Sequence, residues 1–293
     1  MRCLLKSMFQ LFLVYNCLFS TIGASTPTPT DTIAPGQTMK DGGTLVSAGG
    51  TYELGCFCPG KSKSRCLRIW YRNIATKTVV WVANREAPIS GSSGVLNMTS
   101  QGTLLLSDGT NSIFWSSNVS RTPQNPMSQL LDSGNLVVKD GDDAVAGNIF
   151  CQSFDHPSNT LLQGMKLGRN FITGQDRILS SWKSADDPAQ GDALFLIDLR
   201  GFPQIVVMKG NKIFFRAGSW NGLWFTGAPN MKSNDLFSFE FILNANEVFF
   251  TYEIPSSSII FRVVVNQSGS PLQPWVWTDQ THSWFSSLQC GAG

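Results

Sequence analysis

The apolar positions fall in short blocks. Val79-Val80-Trp81-Val82-Ala83, followed by Asn84-Arg85, predicts a strand buried on both faces. A Gly/Ser-containing segment, Ser90-Gly91-Ser92-Ser93-Gly94, soon follows it. The block returns as Ile113-Phe114-Trp115-Ser116-Ser117-Asn118, and in worn form as Ile149-Phe150-Cys151-Gln152-Ser153-Phe154. Trp81, Trp115 and Cys151 stand 34 and 36 residues apart, the period of an internal repeat. Hairpins precede the second and third copies: Gly102-Thr103-Leu104-Leu105-Leu106-Ser107-Asp108-Gly109 and Gly134-Asn135-Leu136-Val137-Val138-Lys139-Asp140-Gly141. Asp-Gly after an apolar run is a turn signal, because Gly accepts the positive φ that tight hairpins need. One unit cannot bury its own Trp. Three leaning together can, each buried Trp contributing about 2–3 kcal/mol. The expected fold is all-β, a three-fold β-prism with Trp81 and Trp115 near its axis, sharing one interior with the Cys151 strand.

Earlier strands are expected at Thr44-Leu45-Val46-Ser47, Tyr52-Glu53-Leu54-Gly55-Cys56-Phe57 and Leu67-Arg68-Ile69-Trp70-Tyr71, with Trp70 in the core. Helical periodicity is absent. From Phe154 to Trp182 the chain shows Gly164, Gly168 and Gly174 but little alternation, and reads as a connection. Hairpin logic then restarts. Ala193-Leu194-Phe195-Leu196-Ile197-Asp198 is a strand, Arg200-Gly201-Phe202-Pro203 a turn, and Gln204-Ile205-Val206-Val207-Met208-Lys209-Gly210 the return. Ile213-Phe214-Phe215-Arg216-Ala217-Gly218 follows, like the Trp strands with Phe in place of Trp. A second prism-like lobe on the same plan is expected, with later strands at 236–243, 247–254 and 259–265 and a hairpin turn at Asn244-Ala245-Asn246.

At 293 residues, 42% hydrophobic and 14% charged, the chain has room for two rather dry globular domains. A net charge of +2 gives no reason to expect a nucleic-acid partner. Lys61, Lys63, Arg65, Arg68, Arg72, Lys77 and Arg85 run without an acidic residue among them. They read as the solvated side of a hairpin, the alternative being an anionic-polysaccharide patch. At the N-terminus, Arg2 and Lys6 precede an apolar core ending at Phe19, and Gly23-Ala24-Ser25 follow. That is a secretory signal over residues 1–24, cut after Ala24 or Ser25. Gln10, Asn16 and Ser20 interrupt its apolar run, and no later segment approaches a membrane span. A secreted, extracellular chain is expected, with an extended Thr26-Pro27-Thr28-Pro29-Thr30 linker.

Five cysteines remain beyond the signal: Cys56, Cys58, Cys66, Cys151 and Cys290. Cys66 lies across a turn from the other two of its group, which predicts a disulfide from Cys66 to Cys58 or Cys56. Zinc is the alternative use, but a fourth ligand is lacking, so no metal site is expected. Asn97, Asn118 and Asn266 head N-glycosylation sequons, which marks them as surface positions.

Catalytic chemistry is not suggested. Gly55-Cys56-Phe57-Cys58-Pro59-Gly60-Lys61-Ser62 fits the phosphate-loop pattern, but strand formers follow where that loop needs a helix, so it reads as a turn. His156 and His282 fall in different lobes, and no nucleophile elbow or metal-ligand cluster occurs. Asp142-Asp143 and Asp186-Asp187 read as solvated turns rather than a glycosidase pair. No catalytic residue and no cofactor are expected.

Val80-Trp81-Val82-Ala83-Asn84-Arg85, Gln129-Leu130-Leu131-Asp132-Ser133-Gly134-Asn135-Leu136-Val137-Val138 and Gln152-Ser153-Phe154-Asp155 are similar to the plant S-domain, the extracellular part shared by S-locus glycoproteins and G-type lectin receptor-like kinases. Leu179-Ser180-Ser181-Trp182-Lys183-Ser184 and Gly218-Ser219-Trp220-Asn221-Gly222 extend the resemblance through the second lobe. It implies a bulb-type lectin domain over 25–152, a second lectin-like lobe with the S-locus glycoprotein region over 153–285, and the start of an EGF-like module over 286–293. A plasma-membrane anchor and Ser/Thr kinase belong to fuller members and are absent from these residues. The implied partner is an extracellular peptide or protein ligand, or a homologous ectodomain, as in pollen recognition or cell-surface signalling. The alternative is a mannose-binding lectin. Against the family's sugar motif Q-x-D-x-N-x-V-x-Y, Asn135 and Val137 remain, while Leu131, Ser133 and Lys139 replace its other members. Losing two or three hydroxyl partners removes several kcal/mol of sugar binding. Cys56, Cys58, Cys66 and Cys151 also stand where the family carries Phe, Ser, Tyr and Trp. The missing third Trp at Cys151 costs about 3–5 kcal/mol unless the core repacks.

Overall fold

The computed structural model describes residues 30–57, 64–91, 94–119, 121–141, 149–256, 258–268 and 273–286. The signal segment, Cys58, Cys290, and most of both the phosphate-loop match and the 286–293 module lie outside them. Among the described residues the strands form six sheets, all of them antiparallel, with four strands on the main path of each. Three sheets use only strands between Thr32 and Gln152, and three use only strands between Thr160 and Ser286.

The first sheet runs Thr44–Val46, Tyr52–Phe57, Ser64–Tyr71, Val79–Val82, with Ile89–Ser90 pairing beside it. The second runs Thr38–Lys40, Val95–Met98, Leu104–Ser107, Ile113–Ser116, and the third Thr32–Ile33, Pro126–Leu130, Leu136–Asp140, Ile149–Gln152. Each sheet therefore ends on one copy of the repeated block. The polar residue that closes the block has a repeated task. Asn84 Oδ1 accepts from Leu67 N at 2.9 Å, Ser117 Oγ from Leu104 N at 2.9 Å, and Ser153 Oγ from Leu136 N at 2.9 Å. Each bond satisfies a buried backbone donor next to the edge strand.

Trp81 and Trp115 do share one interior, their ring centroids 6.0 Å apart in an edge-to-face arrangement. Trp70 is buried apart from them, its Nε1 donating to Glu53 Oε2 at 3.1 Å. Cys151 faces the axial pair across a cavity of about 10 Å³, which Leu104, Leu136 and Val138 help line. That space holds at most one water, not an indole. At ~24 cal/mol per Å³ the residual void costs only ~0.2 kcal/mol, so the neighbours have closed over the missing Trp. The Cys151 thiol is tied to the second sheet, donating to Ser117 O at 2.8 Å.

In the second set, one sheet runs Leu179–Ser184, Asp187–Asp198, Gln204–Lys209, Lys212–Ser219. Another runs Asp176–Arg177, Leu167–Asn170, Glu247–Glu253, Ser238–Leu243, and the last Thr160–Leu161, Phe261–Val264, Gln273–Thr278, Ser283–Ser286. The expected hairpins are found, and Asn244 Oδ1 accepts from Asn246 N and Glu247 N, closing the turn at 244–246. Two expectations need correction. Residues 154–182 are not a plain connection: they supply strands to all three sheets, in pieces of two to six residues too short to show alternation. The two strands after residue 272 were not expected, although Trp275-Val276-Trp277 sits in one of them.

The basic run is a solvated face only in part. Arg68 is fully buried, its guanidinium 5.1 Å from the Phe57 ring centroid and 5.6 Å from that of Trp182. Lys77 lies over Phe57 and Trp70, Arg65 pairs with Asp41, and Arg85 is largely enclosed. Aromatic faces hold Arg68 and backbone carbonyls help hold Arg85 in place of water. Of the five described members of the run, Arg65, Arg68, Arg72, Lys77 and Arg85, only Arg72 and Lys77 are exposed.

Gly168 shows how tightly the second set closes. Its φ is +144°, and an added Cβ would lie 2.1 Å from Val248 O and 2.8 Å from Phe249 Cα. Both are backbone atoms of the paired strand and cannot swing aside. Gly168→Ala is expected to destabilise the chain by about 3 kcal/mol or more, read by denaturant unfolding. A shift under about 1 kcal/mol would mean that the two strands do not pair this closely.

Candidate functional site

The two remnants of the sugar motif sit on the Leu136–Asp140 strand and its approach. Asn135 is 6% exposed; its Nδ2 donates to Gln152 Oε1 at 2.9 Å, and its Oδ1 accepts from Ser153 Oγ at 3.1 Å and Phe154 N at 3.3 Å. Val137 is 1% exposed. Asn135 is thus spent on internal hydrogen bonds, while Val137 is buried on the opposite face of the strand from Leu136 and Val138, which line the axial cavity, and Leu131, Ser133 and Lys139 around them are half-buried.

Of the sequon residues, Asn118 is exposed with φ +44°, whereas Asn97 is half-buried within the Val95–Met98 strand. Asn266 is half-buried, its Oδ1 accepting from Ser268 Oγ at 2.6 Å. The Cys56 alternative for the disulfide is not formed. Cys56 opposes Leu67 and Cys66 opposes Phe57, so the register turns the two side chains to opposite faces, and Cys56 carries a free thiol. The Cys58 alternative lies outside the described residues.

Burial pushes the Cys56 thiol up to about 12, helped by Asp41, and the Cys151 thiol up to about 11, helped by Asp155. At pH 8, alkylation of Cys151 in the native chain is expected to run at least ~100-fold slower than in the denatured chain. Stability contributed by this protonated thiol is complete below about pH 8.5, the unfolded value, and is lost as pH rises toward about 11. Mass spectrometry of timed iodoacetamide labelling checks the first expectation. Native labelling as fast as in denaturant would show the thiol to be open to solvent.

The described residues hold no group of three or more His, Cys, Asp and Glu side chains placed to bind a metal. What the second set of sheets does hold is an open cleft of about 310 Å³ lined by Phe202, Pro203, Ser219, Trp220, Phe241 and Leu243. That volume and its apolar, aromatic walls are those of a binding site for a small group or side chain. The hairpin turn after Asp198 places Phe202 and Pro203, and the Ser238–Leu243 strand supplies Phe241 and Leu243. Trp220 forms a braced floor, its ring 5.1 Å from Phe225 and 5.5 Å from Phe241, centroid to centroid. Phe202 is 82% exposed and Leu243 56% exposed at the lips. Beside them, Asp198 is 6% exposed, and hydrogen bonds from Arg200 hold its carboxyl below the ordinary range. Sequence reasoning read residues 200–203 only as a turn. The available signal was Phe202, a large apolar residue at a turn tip, where polar residues are usual.

The two sets of sheets meet along the block that begins at Val79. Trp81 Nε1 donates to His156 O at 2.8 Å and Val82 N to Ser158 Oγ at 3.0 Å. Arg85 reaches further, donating to Pro188 O at 2.7 Å, Ser180 Oγ at 2.9 Å and Ser181 O at 3.1 Å.

Comparison with known proteins gives this arrangement its class. Residues 78–183 match the D-mannose binding lectin family, and residues 215–291 match the S-locus glycoprotein domain. The chain is thus an all-β, bulb-lectin-type chain that carries an S-locus glycoprotein domain. It is 40% identical over 258 residues to the G-type lectin S-receptor-like serine/threonine-protein kinase RKS1 of Arabidopsis thaliana, covering 87% of this chain and 30% of that one. With the S-locus-specific glycoprotein BS29-2 of Brassica oleracea var. alboglabra it shares 36% identity over 243 residues, covering 82% of this chain and 55% of that one. The chain therefore spans under a third of the receptor kinase and about half of the glycoprotein. It belongs to the plant S-domain family of S-locus glycoproteins and G-type lectin receptor-like kinases. Among solved structures, the mannose-specific agglutinin from snowdrop bulbs aligns over 40% of this chain and 95% of its own, at 20% identity and a TM-score of 0.30.

Proposed function

We propose that this chain is a secreted, non-enzymatic recognition module that binds an extracellular peptide or protein ligand, or a homologous ectodomain, in pollen recognition or cell-surface signalling. Residues 1–24 act as the export signal, 25–152 form the lectin domain, 153–285 the second lobe, and 286–293 open an EGF-like module. Asn97, Asn118 and Asn266 accept glycans, Asn118 from the most open position. Cys66 pairs with Cys58. The observation that carries the reading is the contrast between the two lobes. In the first, Asn135 and Val137 are spent on internal bonds and packing; in the second, an aromatic cleft stands open.

The mannose-lectin reading has the family match over residues 78–183 in its favour. A glycan array probed with the secreted chain, run beside capture of a displayed peptide library, separates the two. Peptide capture with no mannose signal is expected. Micromolar or tighter mannose binding with no peptide capture would replace the recognition reading with the lectin one.

A further inference from the structure

We propose that the Phe202–Trp220–Leu243 cleft receives an apolar side chain from an acidic peptide segment, whose neighbouring carboxylate meets Arg216 and Arg200. The proposal rests on the recognition reading above and names the ligand chemistry of its site.

The floor is preformed. Trp220 packs on both Phe225 and Phe241, which pack on each other, so an entering side chain finds a braced cluster of rings and orders little of the protein. The lining side chains are aromatic or aliphatic except for the Ser219 hydroxyl and the Trp220 N–H, few partners for the many hydroxyls of a sugar and a broad apolar surface for Leu, Phe or Trp. Phe202 and Leu243 stay largely in water until something covers them.

Charge selects among apolar ligands. Asp198 pairs with Gln204 across the hairpin, and Gln204 with Ser219 across the next, so Asp198 lies at the end of the sheet that carries the cleft. Its two oxygens take Arg200 Nε at 2.9 Å and a terminal guanidinium nitrogen of Arg200 at 3.0 Å. Arg216 stands 3.9 Å from the same carboxylate, beyond hydrogen-bonding distance. Two guanidinium groups, 75% and 49% exposed, thus share one buried carboxylate, and the rim keeps a surplus positive charge. A bidentate partner for Arg216 is a carboxylate supplied from outside.

The test is selection of a phage-displayed random heptapeptide library on the purified glycosylated chain, followed by binding of the recovered peptides to variants. The expected peptides carry an aromatic or large aliphatic residue within two positions of Asp or Glu. Their affinity should fall about tenfold or more on Phe202→Ser and severalfold on Arg216→Gln, with salt weakening the second contact. Phe202 is mostly exposed and Arg216 about half exposed, so the fold should survive, and an unchanged melting temperature verifies that. Recovered peptides that are basic or neutral overturn the charge assignment. Peptides that bind Phe202→Ser as well as wild type overturn the cleft while leaving the recognition reading standing. If no peptide is enriched and glycans are captured instead, the recognition reading fails, and the cleft proposal with it.

Discussion

Trp81→Ala is expected to cost about 3–5 kcal/mol, among the largest losses open to a single substitution in this chain. Its indole is 5% exposed and packs edge-to-face on Trp115, and with Cys151 in the third position no other axial indole remains to share the load. The cavity already present is small, so truncation would open a void that the sheet edges must either leave empty or collapse into. The same ring donates to His156 O across the seam between the two sets of sheets. Trp81→Phe isolates that second contribution: it keeps most of the packing and loses the hydrogen bond, for about 1–2 kcal/mol. Denaturant unfolding followed by far-ultraviolet circular dichroism measures both. A loss under 1 kcal/mol for the alanine variant would mean that the three sheets do not depend on a shared axis.

The repeat was legible because the physics behind it is short-range. A run of β-branched and aromatic residues with a small or polar close appears three times, and each copy forms the last strand of its sheet. The Asp-Gly and Asn-Ala-Asn turns were legible for the same reason. Residues 154–182 were not, because their edge strands are two to six residues long and owe their conformation to partners far away, such as Phe249 and Phe250 against Gly168 and Leu167. Arg68 misled for a related reason. A cation in a strand looks solvated until a ring from the paired strand, Phe57, and one from the second set of sheets, Trp182, turn out to lie against it. The sugar-motif remnants could be found by pattern, but pattern did not reveal that the Asn135 amide spends its bonds on Gln152, Ser153 and Phe154. The cleft needs residues from 202 to 243 brought together, and no local window holds them.

The close of the Val79 block is one of the contacts that join the two lobes. Arg85 projects from the first set of sheets, and its guanidinium makes three hydrogen bonds to the second, to Pro188 O, Ser180 Oγ and Ser181 O. Burial pulls its pKa below the ordinary value, and Glu86 and Asp187 oppose that pull. Glu86 also contributes directly by accepting from Gln190 N at 2.8 Å. Charge-assisted bonds to neutral acceptors are worth about 1.5–3 kcal/mol each and are not additive, so Arg85→Ala is expected to cost about 3 kcal/mol or more. Arg85→Lys restores the charge but not the planar fork that reaches three acceptors, and should recover about a third of the loss. The signature that distinguishes a seam from an ordinary buried residue is where the protection is lost. Hydrogen exchange should accelerate at Val82, whose N–H bonds Ser158, and at Gln190, whose N–H bonds Glu86, while amides deep in either set of sheets stay slow. Uniform acceleration throughout the chain, or none, would show that Arg85 does not join the lobes.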